Sequence, residues 1–362
     1  MTARAERVVL AADATCSGKP ADFDGLLKEV SRSFFLTLRI LPGAVRRQIS
    51  LAYLLARASD TVADTRALPI PERLGALSAL RDRIMGNSTV PLSFRSFVEA
   101  TESISAPASP QSASSGETRL LVRLEEFISC LANLSPEDLA RVREVISTII
   151  SGQELDLKRF GNATADEIVA LREMAELDDY TYRVAGCVGE FWTRMCRAHL
   201  FPSDVLDDSL LLERGVRFGR GLQLINILRD VPADLRGGRC YLPADRLAQL
   251  GLSAQDLVNP GNNDRLRPLY SELLARAEAH LEAGWEYTNM IPRRFVRVRL
   301  ACAWPILIGV RTAAKLRNAN WLASAKPIKI SRTEVRRLVA RSLLGQIWPP
   351  LWRRLLRESK LV

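Results

Sequence analysis

Leu55-Ala56-Arg57-Ala58-Ser59-Asp60-Thr61-Val62-Ala63-Asp64 and, far downstream, Gln223-Leu224-Ile225-Asn226-Ile227-Leu228-Arg229-Asp230-Val231-Pro232-Ala233-Asp234 decide how this chain folds. In each stretch two aspartates stand four residues apart. On a helix that spacing puts both carboxylates on one face. The remaining positions are largely apolar, and a helix apolar nearly all round is a buried one. A buried charge without a partner is costly. Two such faces turned toward each other would make an oxygen-rich site for a hard divalent cation, Mg²⁺ first and Mn²⁺ as a substitute. Mg²⁺ held by a few carboxylates completes its shell with water and phosphate oxygens. The first expectation is an enzyme that handles a diphosphate.

The neighbours sharpen each pair. Tyr53, Arg57, Asp60 and Asp64 follow at spacings of 4, 3 and 4 and form one polar stripe. An Arg57–Asp60 ion pair on a solvated face is the bland alternative, set against flanking Leu51, Leu54, Leu55 and Val62. Gln223, Asn226, Asp230 and Asp234 follow at 3, 4 and 4, with Arg229 beside them. Pro232 interrupts this second stripe, and a proline inside a helix removes one backbone hydrogen bond. Asp234 is therefore expected past a kink or at a helix end. Arg236-Gly237-Gly238-Arg239-Cys240-Tyr241-Leu242-Pro243 reads either as a plain turn or as a glycine-hinged basic flap that closes on phosphate. Tyr180 to Gly189 places small residues every three or four positions, which suits close helix packing or a flat apolar ligand. Ser31-Arg32-Ser33-Phe34 offers hydroxyls and a guanidinium, and also suits a helix cap.

Length and composition bound the class. The chain has 362 residues, 47% hydrophobic and 25% charged, enough for one large domain with a sizeable core. Six cysteines are scattered without a CxxC pair and only two histidines occur, so a zinc cluster is not expected. Scattered thiols and the lack of a secretory signal point to the cytoplasm. The net charge of +10 is uneven: residues 291–362 hold 17 Lys/Arg against 2 Asp/Glu. That end mixes Trp, Leu and Arg, as in Trp348-Pro349-Pro350-Leu351-Trp352-Arg353-Arg354-Leu355-Leu356-Arg357. Such a mixture suits peripheral contact with the inner face of a membrane better than a nucleic-acid groove. The alternative is a solvated terminal helix. The longest apolar run, 301–310, is about half of what spans a bilayer.

Helical periodicity covers most of the rest. It marks 23–67 with a break at Pro42-Gly43, then 72–85, 118–131, 135–158, 164–201, 206–229, 265–290 and 293–318. Strand signals are nearly absent. The expectation is one all-α domain over 21–320. A loose leader covers 1–20, a polar loop 101–117, and a basic C-terminal segment 321–362.

Together these segments resemble the squalene/phytoene synthase family, and the squalene synthases within it most. The carrying residues are Ser31-Arg32-Ser33-Phe34; Tyr53, Arg57, Asp60 and Asp64; Tyr180 with Val184-Ala185-Gly186-Cys187-Val188-Gly189; and Gln223, Asn226, Arg229, Asp230, Asp234 and Gly238-Arg239-Cys240-Tyr241. They occur in the family's order over roughly 25–310. The resemblance implies an isoprenoid-synthase helical bundle around a central hydrophobic cavity. It implies head-to-head joining of two farnesyl diphosphates to presqualene diphosphate, then NADPH-dependent reduction to squalene. Asp60, Asp64, Asp230 and Asp234 would hold Mg²⁺. Ser31, Arg32, Ser33, Arg57, Gln223, Asn226, Arg229 and Arg239 would contact diphosphate. Tyr180, Tyr53 and Arg57 would serve catalysis, with Tyr180 near proton removal. Lys329 and Arg332 match positions that bind the phosphate of NADPH. Ile306, where squalene synthases commonly carry Gln, weakens the reductive step. Synthases of presqualene diphosphate, dehydrosqualene or phytoene, which omit the reduction, are the alternatives. A non-catalytic binding protein of the same fold is the alternative of another class.

Overall fold

The computed structural model describes residues 20–31, 34–103, 115–324 and 327–360. Among them the chain is helical almost throughout: α1 Pro20–Ser31, α2 Phe35–Ile40, α3 Gly43–Asp64, α4 Ile70–Met85, α5 Arg95–Ser103, α6 Ser115–Val122, α7 Leu124–Ser129, α8 Pro136–Phe160, α9 Met174–Thr181, α10 Cys187–His199, α11 Asp208–Arg236, α12 Ala244–Gln249, α13 Asn263–Met290, α14 Val296–Arg317, α15 Arg332–Ile347 and α16 Pro349–Ser359. Two two-residue strands, β1 Val169–Ala170 and β2 Arg239–Cys240, pair in parallel. The expected all-α class is what folds. The expected leader lies almost wholly outside the described residues.

The long helices start where the sequence supplies a cap. Ser135 accepts a hydrogen bond from the Asp138 amide at 3.2 Å, with Pro136 in the first turn of α8. Asp207 does the same for α11, accepting from the Leu210 amide at 2.9 Å. The apolar faces of α3, α8 and α10 meet in one core cluster, and those of α11, α13 and α14 in a second. The site lies between them.

Three expectations are corrected. The helix expected from 164 begins only at Met174, because Val169 and Ala170 are drawn into the strand pair with Arg239 and Cys240. The loop expected over 101–117 is narrower: α5 runs to Ser103 and α6 starts at Ser115, and 104–114 lie outside the described residues. The helix expected to stop at Arg229 continues through Pro232 to Arg236, so Asp234 stays on the same helix as Asp230.

Continuity through Pro232 has a specific cause. Proline has no N–H to give the carbonyl four residues back, which is that of Leu228. The Tyr270 hydroxyl on α13 donates to this carbonyl at 2.9 Å. Tyr270 is fully buried and its ring stacks on Trp321 at 3.6 Å. The helix keeps its course because a neighbour supplies the missing donor.

Glycine sets the approach of α10 to α11. A Cβ on Gly189 would lie 1.9 Å from the Gly215 carbonyl oxygen, and one on Gly219 would lie 2.0 Å from that of Ala185. The small residues after Tyr180 are thus required by backbone contact. Between α9 and α10 the chain makes one π-helical turn, Tyr182–Gly186, a local widening that recurs at functional sites.

The C-terminal segment forms two packed helices. Trp304 on α14 donates to Ser342 on α15 at 2.9 Å. Trp352 on α16 stacks on Trp285 and donates to Asn289 at 2.8 Å. At the corner joining α15 to α16, Leu343, Leu344, Ile347 and Trp348 are exposed. Among the described residues no helix is long and apolar enough to cross a membrane.

Candidate active site

Two cavities share a wall. The larger, about 660 Å³, is lined by Arg57, Asp60 and Asp64 of α3, Gln153 and Asp156 of α8, Tyr180 of α9, Gln223, Asn226, Arg229, Asp230 and Asp234 of α11, and Arg239 and Tyr241 at β2. Arg66 and Arg73 add further positive charge. The smaller, about 370 Å³, is apolar and takes Phe34, Tyr53, Ile149, Val188, Trp192, Phe218, Leu222 and Tyr287. Val184, Gln223 and Asn226 line both. A charged compartment therefore adjoins an apolar one at these three residues.

All four aspartates face the charged compartment. Burial and the nearby Asp64 push the Asp60 carboxyl up to about 7, against the pull of Arg57 and of a hydrogen bond from Gln153 at 2.5 Å. Its side chain keeps 44% of its surface open to the cavity, so the site is recessed rather than sealed. Burial raises Asp234 to about 6 against Arg239, whose guanidinium stands 3.2 Å away. Arg229 grips Asp230 through two nitrogens, at 2.9 and 2.5 Å. Arg57 pairs with Glu117 of α6 and, at 3.9 Å, with Asp60. Burial opposes the charge on Arg239, but Tyr241, Asp234 and two further carboxylates outweigh it and raise its pKa. Burial disfavours the charged forms of Asp60 and Asp234, and a nearby hard cation would favour them. Among the described residues, no three Asp, Glu, His or Cys side chains stand ready as a closed metal cluster.

Tyr180, expected near proton removal, lines the charged compartment. Its ring stacks on that of Tyr241 at 4.8 Å and its hydroxyl stands 3.4 Å from the Tyr241 hydroxyl. Tyr241 in turn donates to Asp156 Oδ2 at 2.5 Å. Burial, with Asp156 adding to it, holds Tyr180 well above the ordinary phenol range.

Other expected residues fall elsewhere. Tyr53 lines the apolar cavity, stacks on Phe34 and donates to the Val30 carbonyl at 3.2 Å. Ser31 is buried in α1, donates to the Leu27 carbonyl and lines neither cavity. Arg32 and Ser33 lie outside the described residues. Lys329 and Arg332 are exposed at the start of α15 and line neither cavity. The expected basic flap is pinned instead. Gly238 has φ +79°, its carbonyl accepts from Val169, and a Cβ there would strike the backbone of Ala163 and Thr164. Arg239 is thereby fixed against Asp234 rather than carried on a hinge.

Gln153, Asp156, Tyr241 and Glu117 were not singled out as site residues from the sequence. Gln153 and Asp156 stand three apart on α8, a polar pair at helical spacing like the aspartate stripes, and this was the available signal.

The squalene/phytoene synthase pattern matches residues 27–334, most of the chain, and so takes in both aspartate helices. The chain belongs to that family. Its members are prenyltransferase-type enzymes. Among relatives, a bifunctional lycopene cyclase/phytoene synthase of Pyrenophora tritici-repentis is 28% identical over 268 residues, 74% of this chain and 41% of that protein. This chain thus spans well under half of that relative's length. A presqualene diphosphate synthase of Rhodopseudomonas palustris is 28% identical over 279 residues, 77% of this chain and 81% of the relative. The solved structure of TcSQS with the ligand BPH1237 superposes with a TM-score of 0.70 at 19% identity, covering 94% of this chain and 89% of the other. That likeness concerns the fold.

Proposed function

We propose that this chain joins two molecules of farnesyl diphosphate head to head and forms presqualene diphosphate. The observation that carries the reading is the seam: a carboxylate- and arginine-lined compartment with ample room for diphosphate adjoins, at Val184, Gln223 and Asn226, an apolar one that suits a prenyl tail. Asp60, Asp64, Asp230 and Asp234 would hold Mg²⁺. That cation supplies Lewis-acid pull on the leaving diphosphate and neutralises its charge. Arg57, Arg229 and Arg239 add positive charge on the same walls, and Gln223 and Asn226 orient the head where the two compartments join. The apolar walls keep water from a carbocation. Tyr180 stays a neutral phenol, able to hold or pass a proton at its hydroxyl but poorly suited to act alone as a base.

The reaction is taken to stop there. Lys329 and Arg332 line neither cavity, and the buried Ile306 offers no polar contact. Incubation with farnesyl diphosphate and Mg²⁺, with and without NADPH, tests this. The expected product is presqualene diphosphate in both. Squalene formed only with NADPH would add the reductive half. A coupled product from geranylgeranyl but not farnesyl diphosphate would make the enzyme a phytoene synthase. Asp60→Asn and Asp230→Asn should each abolish turnover, and near-normal activity in either would undo the metal assignment.

A second reading concerns location. Leu343, Leu344, Ile347 and Trp348 stand exposed together, flanked by exposed Arg336, Arg337, Arg353, Arg354 and Arg357. Apolar side chains ringed by arginine fit an anionic lipid surface. The chain should sediment with phosphatidylglycerol vesicles and not with phosphatidylcholine vesicles. Ile347→Glu combined with Trp348→Glu should release it, and equal sedimentation of that variant would overturn the assignment.

A further inference from the structure

We propose that Asp156 is the acceptor end of a buried proton relay, Tyr180 to Tyr241 to Asp156, that takes up the proton lost when the new carbon–carbon bond closes. This rests on the head-to-head reading above and adds to it the route the proton takes.

The geometry gives the chain a direction. An ionised carboxylate has only lone pairs to offer, so Tyr241 must donate to Asp156 and spends its single proton there, at 2.5 Å. The Tyr241 oxygen is then left as an acceptor. Its other neighbour is the Tyr180 hydroxyl at 3.4 Å, which can only be the donor. Tyr180's own proton therefore points along the cavity wall toward Tyr241, and its remaining lone pair is free to face what the cavity holds. Stacking of the two rings, centroids 4.8 Å apart and 24° from parallel, fixes both hydroxyls. Phe160 packs edge-on against Tyr241 from another side. Asp156 Oδ1 is buried without a hydrogen-bond partner, so the carboxylate is not saturated by the fold.

Both phenols are held well above their ordinary range, chiefly by burial, so neither is a standing base. A concerted shift avoids that barrier. As a C–H bond of the cationic intermediate breaks, its electron pair closes the cyclopropane ring. The proton passes to the Tyr180 oxygen, the Tyr180 proton to the Tyr241 oxygen, and the Tyr241 proton to Asp156 Oδ2. One cation and one carboxylate become a neutral ring and a neutral carboxylic acid, and no other reactant is consumed. Tyr180, Tyr241 and Asp156 all line the charged compartment, so the proton stays on that side throughout.

The test compares the wild-type chain with Asp156→Asn and Tyr241→Phe on farnesyl diphosphate and Mg²⁺. Diphosphate release, coupled product and prenyl alcohol are each measured. Asn keeps an acceptor for the Tyr241 hydroxyl but cannot take its proton. In both variants coupled product should fall on the order of 100-fold. Diphosphate release should continue within about threefold, with the difference appearing as prenyl alcohol from water capture. The Mg²⁺ concentration for half activity should not move. An unchanged ratio of coupled product to alcohol would overturn the relay and leave the departing diphosphate as base. A raised Mg²⁺ requirement at an unchanged ratio would also overturn it and make Asp156 a metal ligand. Absence of any coupled product from the wild-type chain would overturn this inference together with the reading beneath it. Wild-type coupling with unaffected variants would overturn this inference alone.

Discussion

Tyr270→Phe isolates one hydrogen bond that lets α11 pass Pro232. The ring is kept, and with it the stacking on Trp321. Only the hydroxyl that reaches the Leu228 carbonyl is removed. Leu228 is 1% exposed, so water has little access to take its place. A buried acceptor left without a donor costs roughly 1–3 kcal/mol, and about 2 is the working figure. For a chain this long, that shifts the melting temperature by only about 2–3 °C, so urea unfolding at constant slope is the better assay. A second background makes the test specific. In Pro232→Ala the helix regains an N–H of its own for Leu228. There the same Tyr270→Phe change should cost about 0.5 kcal/mol, a coupling of about 1–2 kcal/mol between residues on different helices. Equal costs in the two backgrounds would refute the idea that Tyr270 replaces proline's missing donor. So would a loss below about 0.3 kcal/mol in the wild-type background.

Gly189→Ala and Gly219→Ala should push α11 away from α10 and from the π-helical turn before it, respectively, because the added methyl meets backbone oxygen at 1.9 and 2.0 Å. Loss of soluble folded protein, or destabilisation of several kcal/mol in denaturant, is the expected outcome. Gly25→Ala, with nothing within 4 Å, should be neutral or slightly stabilising, and a similar penalty at all three positions would contradict the packing account. His280 is held down to about 4, by burial first and then by Arg217 and two further arginines. The unfolded chain binds that proton near 6.5. The stabilisation His280 provides is therefore present above that value and lost as pH falls toward 4. Between pH 7.5 and 5 the wild type should lose on the order of 1–2 kcal/mol more than His280→Gln. Parallel stability–pH curves for the two would remove His280 as the cause.

Much of this was legible in the chain itself, for a physical reason. Helical periodicity is local, so α3, α8 and α13 could be read within a few residues. The aspartate stripes stood out because charge on an apolar helix is expensive. What escaped was non-local. The start of α9 depends on a strand pairing between Val169 and Arg239, seventy residues apart in sequence. The course of α11 depends on Tyr270, and no pattern around Pro232 announces a donor from another helix. Gln153 and Asp156 were hidden on α8, where two polar residues at a spacing of three look like an ordinary solvated face. The glycines before Arg239 suit a plain turn or a hinged flap equally in sequence, but Gly238 is a glycine because its backbone lies against Ala163 and Thr164.

The seam of Val184, Gln223 and Asn226 also acts as the zero mark of a ruler. On the function proposed above, a prenyl diphosphate seated there would have its head fixed on one side and its tail measured only on the other. Trp192, Tyr287 and Cys302 belong to the apolar side alone. Chain-length choice and bond-making chemistry would then be written on separate walls. Trimming Tyr287 should lengthen the tail accepted while leaving the Mg²⁺ requirement where it was, and a change in that requirement instead would show that the two walls are not independent.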